Sequence, residues 1–201
     1  MSKVNKHSKF FNDTMKGLLE AIEIEKRKGD LKKMPVTQIN DMANTYIEHT
    51  IVIDNFTFMV RKGLDGVLCR VFSDGAKYKW PESETPVIPD ASINCNYRDR
   101  RATVLMSVPR VVMEVLSDAT EKYDRGEKME LYKKVEVAEY WIVDWRKRQI
   151  EIYLLVPDEN TIDEMSYKLV STVTEANKAD LKLYSFPHIP VSFDEMFDGL
   201  D

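Results

Sequence analysis

The apolar run Val111-Val112-Met113-Glu114-Val115-Leu116 is broken only by its one acid. A short, nearly continuous apolar stretch of this kind predicts a strand covered on both faces. A carboxylate there is costly unless it is paired, protonated or bound to a metal, so Glu114 requires an explanation. The pattern then becomes helical. At about 100° per residue, Leu131, Tyr132 and Val135 share one stripe, with Glu127, Glu130, Lys133 and Lys134 mostly off it. Asp124 followed by Glu127 reads as a capping box at the start of this helix. Lys128 breaks the pattern, because it lies on the apolar stripe, one turn after Asp124 and one before Tyr132. Taken alone it reads as a snorkelling side chain or half of a structural ion pair.

Around this block the remaining elements follow by spacing. Phe11, Met15, Leu18, Leu19 and Ile22 predict an amphipathic helix over about 13–28, and residues 30–44 form a linker with Pro35. Tyr46, His49, Val52, Ile53, Phe56 and Val60 share a face of a second helix, opened by Thr45 with Glu48 and closed by Arg61-Lys62-Gly63. His49 lies on the apolar face, where a histidine is more often a packing residue than a ligand. Val67 to Phe72 predicts a strand, Asp74-Gly75 a hairpin, and Lys77 to Trp80 a strand pairing back. Ala91 to Cys95 is a strand with Pro89-Asp90 at its mouth. Tyr140 to Trp145 and Ile150 to Val156 form a hairpin around Arg146-Lys147-Arg148-Gln149. Ser166 to Val173 and Leu181 to Tyr184 are further strands, and Ser192 to Phe197 is a terminal helix. No repeat or boundary intervenes, so 1–201 reads as one domain, with 1–40 a helical extension.

Composition narrows the classes. A charged share of 31% and a hydrophobic share of 43% describe an ordinary globular chain. No apolar run reaches the ~20 residues of a membrane span, and no signal peptide opens the chain. Cys69 and Cys95 lack metal-type spacing and read as free thiols of a reducing cytosol, which points to a cytoplasmic protein. The net charge of −5 gives no global attraction to nucleic acid. Arg98, Arg100, Arg101 and Arg110 are a local basic cluster suited to phosphate contacts, or simply a solvated loop.

Asp90 at a strand mouth, Glu114 in a covered strand and Lys128 on an inward helix face form a candidate constellation. Two converging carboxylates make a hard-oxygen site for Mg²⁺ or Mn²⁺, which such sites hold with water and phosphate oxygens. The metal would polarise a phosphodiester and acidify a water, and a nearby lysine would orient that water or stabilise charge.

Pro89-Asp90, then Val-Val-Met-Glu114-Val-Leu-Ser117, Tyr-Asp124-Arg-Gly-Glu-Lys128-Met-Glu-Leu-Tyr132 and Glu-Tyr-Trp-Ile-Val-Asp144, resembles the Uma-two restriction endonuclease family of the PD-(D/E)XK nuclease superfamily. The resemblance runs over roughly residues 45–197 and is most specific over 109–145. It implies an α/β, restriction-endonuclease-like fold, with a central mixed β-sheet flanked by helices and here an added N-terminal helix. It places the metal-binding acids on Asp90 and Glu114. The superfamily's lysine position, two residues after the second acid, holds Leu116; the family's migrated lysine falls on Lys128. Two features depart from the family. The Tyr-Glu-Leu-Ile-Asp-Gly-like opening strand has no counterpart, and Ser117-Asp-Ala-Thr120 replaces Ser-Pro-Ser-Thr. Glu48, His49, Asp124 and Tyr132 are auxiliary candidates.

The expectation is a Mg²⁺- or Mn²⁺-dependent endonuclease hydrolysing DNA, with no membrane association. The alternative is a catalytically silent nucleic-acid- or protein-binding member of the same fold. A glycosidase-type carboxylate pair leaves Lys128 unexplained. Trp141, Trp145 and Tyr153 are candidates for a homodimer interface, although core packing accounts for them better.

Overall fold

Alternation along the central strand sorts its side chains between two cores. The computed structural model describes residues 46–64, 68–158, 161 and 164–200; the expected helix over 13–28 and linker over 30–44 lie outside them. Helix α1 is Ile47–Gly63. Strands β1 (Arg70–Ser73), β2 (Lys77–Tyr78), β3 (Ala91–Asn94), β4 (Arg100–Arg101), β5 (Val104–Leu105) and β6 (Val111–Val115) follow. A helical crossover comes next: α2 (Glu121–Tyr123), a π-turn (Asp124–Lys128) and α3 (Met129–Lys134). Strands β7 (Glu139–Asp144), β8 (Gln149–Pro157) and β9 (Met165–Val173), a 3-10 turn (Glu175–Asp180) and α4 (Phe193–Met196) complete the order.

The main sheet has six strands in the order β1-β3-β6-β7-β8-β9. β6 and β7 are parallel and are joined by the helical crossover that parallel neighbours need, and the other pairs are antiparallel. This is the mixed sheet flanked by helices expected above. Val111, Met113 and Val115 face one core with Val52, Phe56 and Val60 of α1, whose Phe56 ring lies 5.6 Å from that of Trp141. Val112 and Leu116 face the other core with Tyr132, Val135 and Tyr140. Glu114 therefore points into the second core, toward the crossover helix. Gly63 is fixed by packing: a Cβ there would sit 2.5 Å from Ile189, so the helix end approaches that side chain too closely for any other residue.

Several expectations change. Lys77-Tyr78 does not pair back onto β1, whose partner in the sheet is β3; it joins β5 and β4 in a second, three-stranded sheet. Tyr78 and Trp80 are thereby buried in the second core. Leu181 to Tyr184 is not a strand. The main-chain N–H groups of Tyr184 and Ser185 donate instead to the buried carboxylate of Glu139, at 3.1 and 2.6 Å, beside the Trp141 indole at 2.7 Å. Asp124 caps no helix. The Ser117–Thr120 turn starts the crossover and Asp124 falls inside the π-turn. α1 begins at Ile47, with Tyr46 rather than a capping side chain before it.

Cys69 and Cys95 are joined in a disulfide, not free. The antiparallel register pairs Arg70 with Asn94, which sets the two cysteines opposite each other one step further on. The two cysteines therefore do not point to a reducing compartment. Among the described residues no helix is long and apolar enough to cross a membrane. Trp141 is fully buried and so unavailable to a dimer interface.

Candidate active site

The β3–β6 register sets Ala91 opposite Met113, and so brings Asp90, the residue before β3, opposite Glu114. The two acids extend the ladder by side chain. The Asp90 N–H donates to Glu114 Oε2 at 3.3 Å, and the Val115 N–H donates to Asp90 Oδ2 at 2.7 Å. The crossover helix lies over this point. The Lys128 Nζ is 2.8 Å from Glu114 Oε2 and 3.1 Å from Asp124 Oδ1, and the Tyr132 hydroxyl donates to Glu114 Oε1 at 2.6 Å. From the opposite core, α1 contributes His49, whose Nε2 lies 3.2 Å from Asp90 Oδ2.

Asp124, Lys128 and Tyr132 meet one strand because of the π-turn. In a regular α-helix residues four apart drift by about 40° per step, so three in succession spread across the helix face. A turn closed from i to i+5 takes up an extra residue and offsets that drift. The apolar stripe of the helix carries Lys128 inward, and the wider turn adds Asp124 to the same patch.

Burial sets the electrostatics. Glu114 is fully buried and Asp124 is 1% exposed, while the side chains of Lys128, His49 and Asp90 keep 13%, 15% and 20% of their surface. Burial pushes the Glu114 carboxyl up to about 8, against the pull of Lys128 and with the push of Asp90 and Asp124. Burial also opposes charge on Lys128, but Glu114, Asp124 and Asp90 outweigh it and hold the ammonium protonated above the usual lysine value. Asp90 is lowered despite its burial, because of the His49 hydrogen bond and the Lys128 charge. Asp124 is raised by burial, with Lys128 pulling against it. His49 is raised: burial lowers it, and the Asp90 carboxylate more than offsets that.

Three carboxylates thus share one ammonium and one histidine, a deficit of positive charge that suits a dication. Glu114 and Asp90 offer only hard oxygen donors, and Asp90 Oδ1 accepts no hydrogen bond from the described residues. Among the described residues no three His, Cys, Asp or Glu side chains form a ready-made metal cage. A carboxylate pair that leaves the rest of the shell to water and phosphate matches the way Mg²⁺ is usually held. The donor set fits Mg²⁺ or Mn²⁺.

The other sequence candidates are not brought in. Glu48, in the first turn of α1, makes no hydrogen bond or ion pair to the cluster among the described residues. Arg100 and Arg101 lie on exposed β4, Arg98 in the loop before it, and Arg110 just ahead of β6. Arg110 is four residues from Glu114 along the strand, roughly 13 Å, at the far end of the sheet from the acids. The basic groups at the near end, Arg146 and Lys147 of the β7–β8 turn, were visible in sequence only as a turn. Both pair with buried Asp144, at 3.1 and 2.9 Å. The Val115 N–H that holds Asp90 carries no signal in sequence, since every residue but proline has one.

A family model described as "Putative restriction endonuclease", Uma2, matches residues 28–183. The uncharacterised protein slr1290 of Synechocystis sp. is 29% identical over 135 residues, covering 67% of this chain and 71% of the relative. The fold is also similar to the crystal structure of a protein from Anabaena variabilis ATCC 29413, titled a putative nuclease belonging to DUF820. The TM-score is 0.58 at 15% identity, over 75% of this chain and 80% of the other. The family match spans His49, Asp90, Glu114, Asp124, Lys128 and Tyr132 together.

Proposed function

Since the chain belongs to the Uma2 family of restriction-endonuclease-like proteins, we propose that it is a metal-dependent nuclease that hydrolyses DNA phosphodiester bonds. The observation that carries this reading is the convergence of Glu114 Oε2, the Asp90 main chain and the Lys128 ammonium on one point beneath the crossover helix. Asp90 and Glu114 would hold Mg²⁺ or Mn²⁺, which when bound polarises the phosphodiester and lowers the pKa of a water. Lys128, fixed by two carboxylates, presents a charged donor to a phosphate oxygen or to the attacking water. His49 orients Asp90 and Tyr132 orients Glu114, each through a hydrogen bond to a carboxylate oxygen. Arg98, Arg100, Arg101 and Arg110, at the far end of the sheet, would meet phosphates away from the scissile one. Contacts of that kind position a duplex without reading its sequence.

The complete burial of Glu114 favours a second reading, a catalytically silent binding protein on the same fold. Plasmid nicking with Mg²⁺ or Mn²⁺ separates the two. Cleavage by the native chain that is lost in Glu114→Ala supports the nuclease. Equal activity in both, or none in either with both metals on double-stranded, single-stranded and branched DNA, overturns it.

A further inference from the structure

We infer that Asp124 is a positioning residue that takes over the Lys128 ammonium when a divalent cation occupies Asp90 and Glu114, so that the site holds metal and lysine together. The inference rests on the carboxylate pair proposed above as the metal site, and it concerns what allows that pair to bind. Lys128 Nζ lies between two carboxylates, 2.8 Å from Glu114 Oε2 and 3.1 Å from Asp124 Oδ1. Glu114 Oε2 already accepts the Asp90 N–H. A dication arriving on Glu114 therefore meets a positive group bound to the oxygen it needs, and the two repel.

The ammonium has little access to water, because its side chain is 13% exposed and those of its partners are 0% and 2%. It must move to another buried acceptor or stay and compete. Asp124 is that acceptor. Its Oδ1 is buried and makes no well-aligned hydrogen bond, so it has capacity to spare. The Tyr140 hydroxyl fixes the main chain beside it, donating to the Asp124 carbonyl at 3.0 Å. The π-turn keeps Asp124 and Lys128 over the same strand. A second cation-holding acid would be superfluous if Lys128 only neutralised Glu114.

The test is Mn²⁺ affinity of the full chain by titration calorimetry, for the native protein, Asp124→Asn, Lys128→Met and the double variant. Asp124→Asn leaves the ammonium on Glu114, and the expected loss is about 10-fold or more, the usual effect of removing a partner behind a metal ligand. Lys128→Met removes the competitor and is expected to bind Mn²⁺ more tightly than the native chain. In that background Asp124→Asn should lose most of its effect. The same loss in both backgrounds would make Asp124 a metal ligand in its own right and overturn the inference. Unchanged affinity in a folded Asp124→Asn protein would reduce the residue to a structural role, with the same result. Should Asp124→Asn fail to fold, Lys128→Met decides alone: weaker Mn²⁺ binding overturns the inference and tighter binding supports it. The expected affinities in a chain that cuts no DNA leave the inference standing and remove only the nuclease reading. Absence of Mn²⁺ binding in the native chain overturns both.

Discussion

Two glutamates on the same face of the sheet have opposite character. The register carries Glu114 of β6 across Ile142 of β7 to Glu151 of β8, so the two carboxylates lie two strands apart, roughly 10 Å. Both are buried. Glu151 accepts a bidentate pair from Arg125 at 2.7 and 3.0 Å, the Tyr153 hydroxyl at 2.7 Å and the Gln149 amide at 2.9 Å. Burial raises its carboxyl, and the Arg125 and Tyr153 hydrogen bonds more than reverse that, leaving it below the usual range. Glu114 also has three donors, but its one cation is shared with Asp124 and faces Asp90, and its carboxyl is pushed up to about 8. Burial alone does not decide how tightly an acid holds its proton here. The distinction is between an acid with its own cation and acids that must share one.

The largest expected effect tests that division directly. Glu114→Gln should lower metal-dependent cleavage by about 1,000-fold or more, because several kcal/mol of charge stabilisation depend on the ligand. Its thermal midpoint should stay level or rise, since an under-neutralised acid has been removed. A large drop in midpoint would place Glu114 with Glu151 as a structural residue. Glu151→Ala should do the reverse. Arg125 is left without its bidentate partner, and urea unfolding should show a loss of roughly 3 kcal/mol, with cleavage per folded molecule retained.

The pH dependence of metal-free stability should divide in the same way. Glu114 has a folded value above its unfolded one, so the folded chain binds the extra proton. Its contribution is complete below about pH 4.5 and is lost as the pH rises toward about 8. Glu151 has a folded value below its unfolded one. Its contribution is complete above that unfolded value and is lost as the pH falls through the folded value. Subtracting the Glu114→Gln stability profile from the native one should isolate the first slope, and Glu151→Gln the second; slopes of the same sign would collapse the comparison. Asp144 belongs with Glu151. Burial raises it, and Lys147 and Arg146 lower it further than that. Asp144→Asn should cost about 1 kcal/mol at neutral pH by urea unfolding, and nothing once the acid is protonated. The smallest effect is a control. Gly126, within the π-turn, has open space where a Cβ would go, so Gly126→Ala should stabilise the chain by up to ~1 kcal/mol and leave both clusters intact.

The sequence was most legible where one residue broke a pattern. Glu114 in an apolar run and Lys128 on an apolar helix stripe announced themselves as costs in need of partners, and each is the other's partner. His49 stands in the sequence as a packing residue or an auxiliary candidate, because a histidine on a buried face looks the same whether or not an acid waits across the core; only the β3–β6 register brings Asp90 to it. Asp124 reads both as a cap, because its spacing to Glu127 imitates one, and as an auxiliary candidate; the π-turn that turns it inward leaves no periodic trace over five residues. Leu181 to Tyr184 has the composition of a strand, and what denies it a ladder is the distant carboxylate of Glu139. The cysteine pairing depends in the same way on a register between segments far apart in the chain.

The π-turn also gives the crossover slack in chain length. It holds one residue more than an ordinary helical turn, so deleting Gly126 would let the backbone close into regular helix, with Asp124 and Lys128 three residues apart and still neighbours on one face. Leu131, Tyr132 and Val135 could dock as before. A residue inserted after the turn has no such slack, because in regular helix it would rotate everything before it by about 100° relative to everything after.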